Sequence, residues 1–153
     1  MWDRLRKQAA LERKALRRLL ELYGPLLVEV AEREPSAVEL SSLAAMLHSF
    51  YSGIENILKR IAMEVDNGMP EGEFWHRELL KRMTKPSQAR PAAISEALWK
   101  ILREYLGFRH MFRHAYTFDL RWEKMRPLVQ DCQQTLALFE AELDAFLRAG
   151  PPA

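Results

Sequence analysis

Residues 36–66 decide the fold, and they read SAVELSSLAAMLHSFYSGIENILKRIAMEVD. Apolar side chains recur in this stretch every three or four positions, the spacing that places them on one face of an α-helix. Ser36 and Glu39 have the spacing of a capping box, in which each side chain accepts a hydrogen bond from the other's backbone amide. We therefore predict a long helix that starts after Ser36 and ends near Asp66-Asn67-Gly68. Its buried face comprises Leu43, Leu47, Phe50, Tyr51, Ile54, Ile57, Leu58 and Ile61.

The same periodicity predicts further helices on both sides of this stretch. A first helix precedes it and is expected to kink or break at Gly24-Pro25, because proline lacks the amide that a helix interior uses. A loop at residues 67–73 is followed by a short helix over residues 74–80. A third long helix is predicted to start at Arg90-Pro91, with proline in its first turn. Its buried residues are expected to be Ile94, Leu98, Ile101, Leu102 and Tyr105.

The last helix is predicted to take its cap from Thr117-Phe118-Asp119, with Pro127 as an alternative first turn. Four long amphipathic helices with short connections pack most simply as an up-and-down bundle. We therefore predict an all-α fold, an up-and-down four-helix bundle with an additional short helix. The chain of 153 residues is long enough for one core. A single domain over residues 1–148 and a flexible tail at residues 149–153 are expected.

Composition limits the functional classes only weakly. The formal net charge of +2 does not by itself indicate a nucleic-acid binder. Basic residues cluster at residues 4–18 and 77–90, where they favour either phosphate binding or a solvated helix face. The single cysteine, Cys132, has no partner for an internal disulfide and lies in an apolar helical stripe, so burial is expected. The start of the chain lacks a signal-peptide pattern, and no stretch approaches the roughly 20 apolar residues of a membrane span. A cytoplasmic protein without a membrane partner is therefore expected.

The candidate functional site is the octapeptide Arg109-His110-Met111-Phe112-Arg113-His114-Ala115-Tyr116. An imidazole ordinarily titrates near neutrality, and a guanidinium can bind a phosphate through two parallel hydrogen bonds. Together these groups are suited to cleaving RNA without a metal. On an unbroken helix, however, Arg109 and His114 would project about 140° apart. They would meet only if the helix ended near Arg113. If it continued, His110 and His114 would share a face.

Other interpretations of the histidines remain open. The His110 and His114 spacing also occurs in helical metal sites, but the nearest carboxylates, Glu104 and Asp119, do not complete a ligand set. We therefore expect no metal and no cofactor. Each imidazole could instead hydrogen-bond a backbone carbonyl at a helix end. His48 and His76 are expected to be structural or surface residues.

Three stretches and the motif together resemble a known family. The pattern Arg109-x-x-x-x-His114-x-Tyr116 in a small helical chain resembles the signature of the HEPN ribonucleases, and is most similar to the HepT-like toxins of toxin–antitoxin modules. The other similar stretches are residues 51–58, 75–80 and 105–108, so that the resemblance covers about residues 40 to 147. The resemblance implies that residues 1–148 form a single HEPN-like domain.

The resemblance implies a metal-independent endoribonuclease toxin that works as a homodimer. Arg109 and His114 of both protomers would be the catalytic residues of an interface cleft, where paired His114 side chains act as base and acid on RNA, tRNA being a candidate. His110, Arg113 and Glu55 would support that cleft. The family often has Asn or Asp where this chain has His110.

The resemblance also implies a partner for the protein. Tyr116 would be a target for AMPylation by a cognate antitoxin of the nucleotidyltransferase type. The alternative interpretation of Tyr116 is a half-buried aromatic residue that packs on Phe118. The alternative function is a non-catalytic HEPN-like binding subunit that partners a nucleotidyltransferase. An interaction bundle unrelated to RNA is a third possibility.

Overall fold

The computed structural model describes residues 1–152, which form helices around one apolar core. The α-helices are α1 (Trp2–Val30), α2 (Ala37–Glu64), α3 (Trp75–Arg82), α4 (Glu96–His114) and α5 (Trp122–Ala149), and a 3-10 turn at Thr117–Asp119 joins α4 to α5. No β-strand occurs within this part of the chain. The predicted all-α bundle of four long helices and one short helix is therefore confirmed.

Helix α2 lies at the centre and packs against each of the other four helices. All eight apolar residues predicted for its inner face are buried. The capping box is also confirmed: the Ser36 amide donates to Glu39 Oε1 at 2.9 Å, and the Glu39 amide donates to Ser36 Oγ at 3.2 Å. Because α2 touches every other helix, a residue on its inner face can contact side chains from distant parts of the chain.

Helix α1 runs without a break through Gly24-Pro25, so the predicted interruption does not end it. Pro25 is exposed, and so is Glu21, whose carbonyl loses its helical donor. Water can hydrogen-bond that carbonyl, which reduces the cost of the proline. Leu20 and Val30, on either side of the proline, are buried in the core and hold the helix in place.

The prediction that the third long helix starts at Arg90-Pro91 is wrong. Helix α4 begins at Glu96, where Ser95 Oγ accepts a hydrogen bond from the Leu98 amide at 3.1 Å. Arg90 is instead buried and donates to the two carboxylate oxygens of Asp66 at 2.7 and 3.0 Å. This ion pair, together with bonds from Arg90 to two backbone carbonyls, holds the connection between α3 and α4 in an irregular path.

Two residues predicted to be buried on the third long helix, Ile94 and Ile101, have different environments in the structure. Ile94 is buried but precedes α4, whereas Ile101 lies within α4 and is 37% exposed. The inner face of α4 is formed by Leu98, Leu102, Tyr105 and Phe108. The predicted contribution of Ile101 to the core is therefore wrong.

Helix α5 begins at Trp122, so Pro127 lies inside it and does not form its first turn. Thr117-Phe118-Asp119 form a separate 3-10 turn, in which Asp119 accepts a hydrogen bond from the Tyr116 amide at 3.2 Å. These residues therefore do not cap α5, contrary to the prediction. Pro127 is exposed like Pro25, and solvent can again replace the missing hydrogen bond.

The end of the chain is more regular than expected. Ala149, predicted as the first residue of the tail, is the last residue of α5, and Gly150 caps the helix with a φ of 61°. Ala153 lies outside the described residues. The flexibility of the remaining tail stays a prediction.

Part of the basic cluster at residues 4–18 fastens α1 to α5. Arg13 donates to Asp144 Oδ1 at 2.6 Å, and Arg17 Nε donates to Glu140 Oε1 at 2.9 Å.

Cys132 is buried as expected, and burial raises the pKa of its thiol to about 11. Within residues 1–152, no helix has the length and apolarity to cross a membrane.

Candidate functional site

Helix α4 stays regular as far as His114, which decides where the motif side chains go. Because the helix does not end before His114, Arg109 and His114 project in different directions from it. His110 and His114 lie on a common face, with ring centroids 5.0 Å apart. Within one chain, therefore, the structure brings His110 to His114 but does not bring Arg109 to His114.

Arg109 joins a polar cluster formed by one residue from each of three helices. Glu55 of α2 is 3% exposed and accepts hydrogen bonds through both carboxylate oxygens. Arg109 Nη1 donates to its Oε1 at 3.2 Å, and His76 Nδ1 of α3 lies 2.8 Å from its Oε2. Arg109 Nη1 and His76 Nδ1 are 3.4 Å apart. We call Glu55, His76 and Arg109 the Glu-His-Arg cluster.

The Glu55 carboxylate selects one tautomer of the neutral His76 ring. An ionised Glu55 only accepts hydrogen bonds, so the neutral imidazole must carry its proton on Nδ1 and its lone pair on Nε2. The ring is also stacked on Trp75, with centroids 3.5 Å apart and planes 27° apart. His76 is therefore held in one orientation by a hydrogen bond at its edge and an aromatic ring on its face.

Several polar atoms around the cluster are buried without a hydrogen-bond partner among the described residues. They are Arg109 Nε, the Tyr51 hydroxyl and His48 Nδ1. Burial and the nearby charge of Glu55 raise the pKa of Tyr51, which keeps its hydroxyl neutral. Burial, followed by the charges of Arg109 and Arg113, lowers the pKa of His48.

The cluster borders a cleft of about 740 Å³ between α3 and α4. The cationic side chains that line the cleft are Arg77, Lys81, Arg103, Arg109 and Arg113, and the acidic ones are Glu73, Glu78 and Glu104. Lys81 Nζ lies 4.0 Å and Arg103 Cζ 4.8 Å from the centre of the Trp99 ring. Because cations outnumber carboxylates on its walls, the cleft favours an anionic ligand, and Trp99 and Phe74 offer aromatic surface beside it.

His114 belongs to a second depression, which has a volume of about 520 Å³ and lies between the end of α4 and the start of α5. Its walls include His110, His114, Asp119, Arg121 and Lys124. His110 lines both this depression and the cleft. The two predicted catalytic residues, Arg109 and His114, therefore line different concavities of the chain.

Tyr116 and Phe118 extend into solvent beside the second depression. Their rings are stacked, with centroids 5.2 Å apart and planes 6° apart. Tyr116 is 71% exposed and Phe118 80% exposed. The predicted packing of the two rings is confirmed, whereas the predicted half-burial of Tyr116 is wrong.

His76 is the residue of this site that the sequence analysis missed. It was expected to be structural or at the surface, yet it contacts both Glu55 and Arg109. Its position within residues 75–80, one of the stretches that resemble the family, was the only signal for it. Across residues 1–152, no group of three His, Cys, Asp or Glu side chains is arranged to hold a metal ion.

The fold and the site define a class: a small helical bundle with an Arg-x4-His motif at the end of its fourth helix, beside a cationic cleft. A family model described as HepT-like protein matches residues 42–150. The chain belongs to this HepT-like family and is a HEPN-domain protein, as the resemblance in the sequence implies. No curated protein and no solved structure matches it.

Proposed function

We propose that this protein is a metal-independent endoribonuclease toxin of a toxin–antitoxin system. The observation that carries the proposal is the Arg109 guanidinium, held by the buried Glu55 at the wall of a cleft with excess positive charge. Such a guanidinium can bind a phosphate through its remaining donors and stabilise the charge that builds up on it during cleavage. Membership of the HepT-like family supports the same assignment.

The separation of Arg109 from His114 within a protomer favours a homodimer. A two-fold axis can place His114 of one protomer at the cleft of the other, which completes a site that a single chain leaves incomplete. The substrate would be single-stranded or looped RNA, because only a flexible backbone reaches the in-line angle for attack by a ribose 2′-hydroxyl. We propose tRNA in the cytoplasm as the candidate substrate, and no cofactor is required for this chemistry. His110 and Arg113 line the cleft and would support it.

Tyr116 is proposed as the site at which a nucleotidyltransferase antitoxin silences the enzyme. Its exposure of 71% makes the side chain accessible to a second protein. Its hydroxyl oxygen would attack the α-phosphorus of ATP, lose its proton to solvent and release pyrophosphate. The attached nucleotide would add negative charge near His114 and repel the RNA backbone.

A second candidate function is a non-catalytic subunit that binds a nucleotidyltransferase. It is favoured by the ion pair between Arg109 and Glu55, which balances the charge of the arginine without any substrate. The two candidates make opposite predictions for cleavage by the purified protein.

The experiment that tests the proposal incubates purified protein with tRNA in the presence of a chelator. The parent is expected to produce ends with a 2′,3′-cyclic phosphate and a 5′-hydroxyl, while Arg109→Ala and His114→Ala lose cleavage and remain dimeric in size-exclusion chromatography. Arg18→Ala is a matched control, because Arg18 is an exposed arginine on α1, remote in sequence from the motif. A parent protein that fails to cut RNA would refute the nuclease and favour the binding subunit, whereas cleavage that requires a divalent metal would refute the metal-independent mechanism.

A further inference from the structure

We infer that His76 is a further catalytic residue, the general base that removes the 2′-hydroxyl proton from RNA bound at Arg109. The inference rests on the proposed ribonuclease function and changes its mechanism. In the arrangement that the motif alone suggests, two His114 side chains supply both base and acid. The structure instead provides a separate imidazole beside Arg109 within the same protomer.

The position of Arg109 is the first argument. Its Nη1 atom lies 3.4 Å from His76 Nδ1, whereas His114 of the same chain lines the other depression. Any phosphate held by Arg109 in the cleft will therefore be near His76. Both side chains line the cleft, so the imidazole and the guanidinium face the same volume.

The tautomer of His76 leaves one ring nitrogen free to accept a proton. His76 Nδ1 lies 2.8 Å from Glu55 Oε2, and because an ionised carboxylate only accepts hydrogen bonds, the neutral ring carries its proton on Nδ1 and its lone pair on Nε2, the atom that a general base needs. His76 Nε2 makes no hydrogen bond with any residue in the 1–152 range. The charged groups around the ring are Glu55 from α2 and Arg109 from α4, with Lys59 on the neighbouring Trp75 ring at 5.5 Å.

The fixed orientation of the ring is the third argument. A general base acts efficiently when its accepting nitrogen is already in place, because no rotamer entropy is then lost in the transition state. Trp75 stacks on the ring face, and Glu55 holds the opposite edge from Nε2. Glu55 is thus a positioning residue for both members of the site, since it also binds Arg109.

His76 Nε2 takes the proton of the ribose 2′-hydroxyl as the 2′-oxygen attacks phosphorus and the bond from phosphorus to the 5′-oxygen breaks. The departing 5′-oxygen takes a proton from the His114 imidazolium of the other protomer. The products are a 2′,3′-cyclic phosphate and a 5′-hydroxyl, and proton exchange with water then restores both imidazoles.

Single variants test the role of His76 directly. His76→Ala and His76→Gln are expected to lower kcat by about 100-fold or more. Affinity for an RNA analogue with a 2′-deoxyribose at the cut site should be retained, and the acidic limb of the pH-rate profile should disappear. Gln133→Ala is the control, because Gln133 is exposed on α5 and does not line the cleft, and its kcat should stay of the same order as that of the parent.

Heterodimers purified through two different affinity tags test which chain supplies each group. A His76→Ala protomer paired with a His114→Ala protomer has one intact cleft, so about half of the parental activity per dimer is expected. Pairing His76→Ala with Arg109→Ala leaves neither cleft intact, so no activity is expected. The same two heterodimers, with the same folded content by circular dichroism, therefore control for each other.

The outcomes separate this inference from the proposed function. If the parent cuts RNA and His76→Ala retains the parental kcat and both limbs of the pH profile, the inference is overturned and the nuclease stands. Activity in the heterodimer of His76→Ala and Arg109→Ala would overturn it as well, because the two residues would then act in different clefts. A parent that does not cut RNA overturns the proposed function itself.

Discussion

Arg109→Met is expected to destabilise the fold because it leaves the buried carboxylate of Glu55 with His76 as its remaining hydrogen-bond partner in the described chain. Removing one partner of a fully buried ion pair costs about 3–5 kcal/mol. Arg109 is not completely buried, and His76 continues to donate to Glu55 at 2.8 Å. We therefore expect the free energy of unfolding to fall by about 2–3 kcal/mol, less than for a fully buried pair.

A double-mutant cycle isolates the interaction itself. Glu55→Gln keeps the shape of the side chain and one acceptor, so its expected cost is about 1–2 kcal/mol. Glu55→Gln combined with Arg109→Met removes both charges and should cost less than the sum of the single changes by about 1–3 kcal/mol. The methionine retains the apolar stem of the arginine, which keeps the loss of packing small.

Urea denaturation at neutral pH, followed by circular dichroism, measures these free energies. Arg18→Met serves as the control, because Arg18 is exposed on α1, and a change of no more than about 0.5 kcal/mol is expected for it. A coupling energy below about 0.3 kcal/mol, with an unchanged m-value, would refute the buried ion pair between Glu55 and Arg109.

Three other predictions concern the scaffold. Gly53→Ala should lower the free energy of unfolding by about 1 kcal/mol, because its added Cβ would lie 2.6 Å from a buried side chain of α1. Gly107→Ala has open space at its Cβ and should raise that free energy by up to about 1 kcal/mol, and the urea midpoints of the two variants measure the difference. Cys132 should react with a thiol reagent only after unfolding, since burial raises its pKa to about 11, and reaction at the rate of a free thiol in the native protein would contradict this. Hydrogen bonds from Arg17 lower the pKa of Glu140 against the effect of burial. The ionised Glu140 therefore stabilises the fold at neutral pH, and this stabilisation is lost as the pH falls below about 4.3. The urea midpoint should therefore fall less on acidification in Arg17→Ala than in the parent.

The prolines explain where local sequence rules failed. The rule that proline ends or starts a helix predicted a kink or break at Gly24-Pro25, a helix start at Arg90-Pro91 and Pro127 as an alternative first turn. Pro25 and Pro127 instead lie inside helices, on exposed faces where water can bind the unpaired carbonyl. At Pro91 the helix does not start, because the buried ion pair between Arg90 and Asp66, 24 residues apart, holds this segment outside a helix.

Sequence analysis located half of the candidate site. The motif and the divergence of Arg109 from His114 on an unbroken helix follow from the chain itself, because residues five apart on a helix differ by about 140°. The contact of Arg109 with Glu55 joins residues 54 apart, and that of His76 with Glu55 joins residues 21 apart. No periodicity within one helix contains such pairs, and for that reason the sequence predicts for His76 only a structural or surface role.

The order of the helices, the inner face of α2 and its Ser36 cap were all evident in the sequence, because each depends on side chains within a few residues of one another. The Glu-His-Arg cluster, the cleft between α3 and α4 and the burial of Arg90 exist only in the folded chain. Helical geometry assigns each residue to a face of its own helix, whereas the faces that meet are selected by the packing of the whole core.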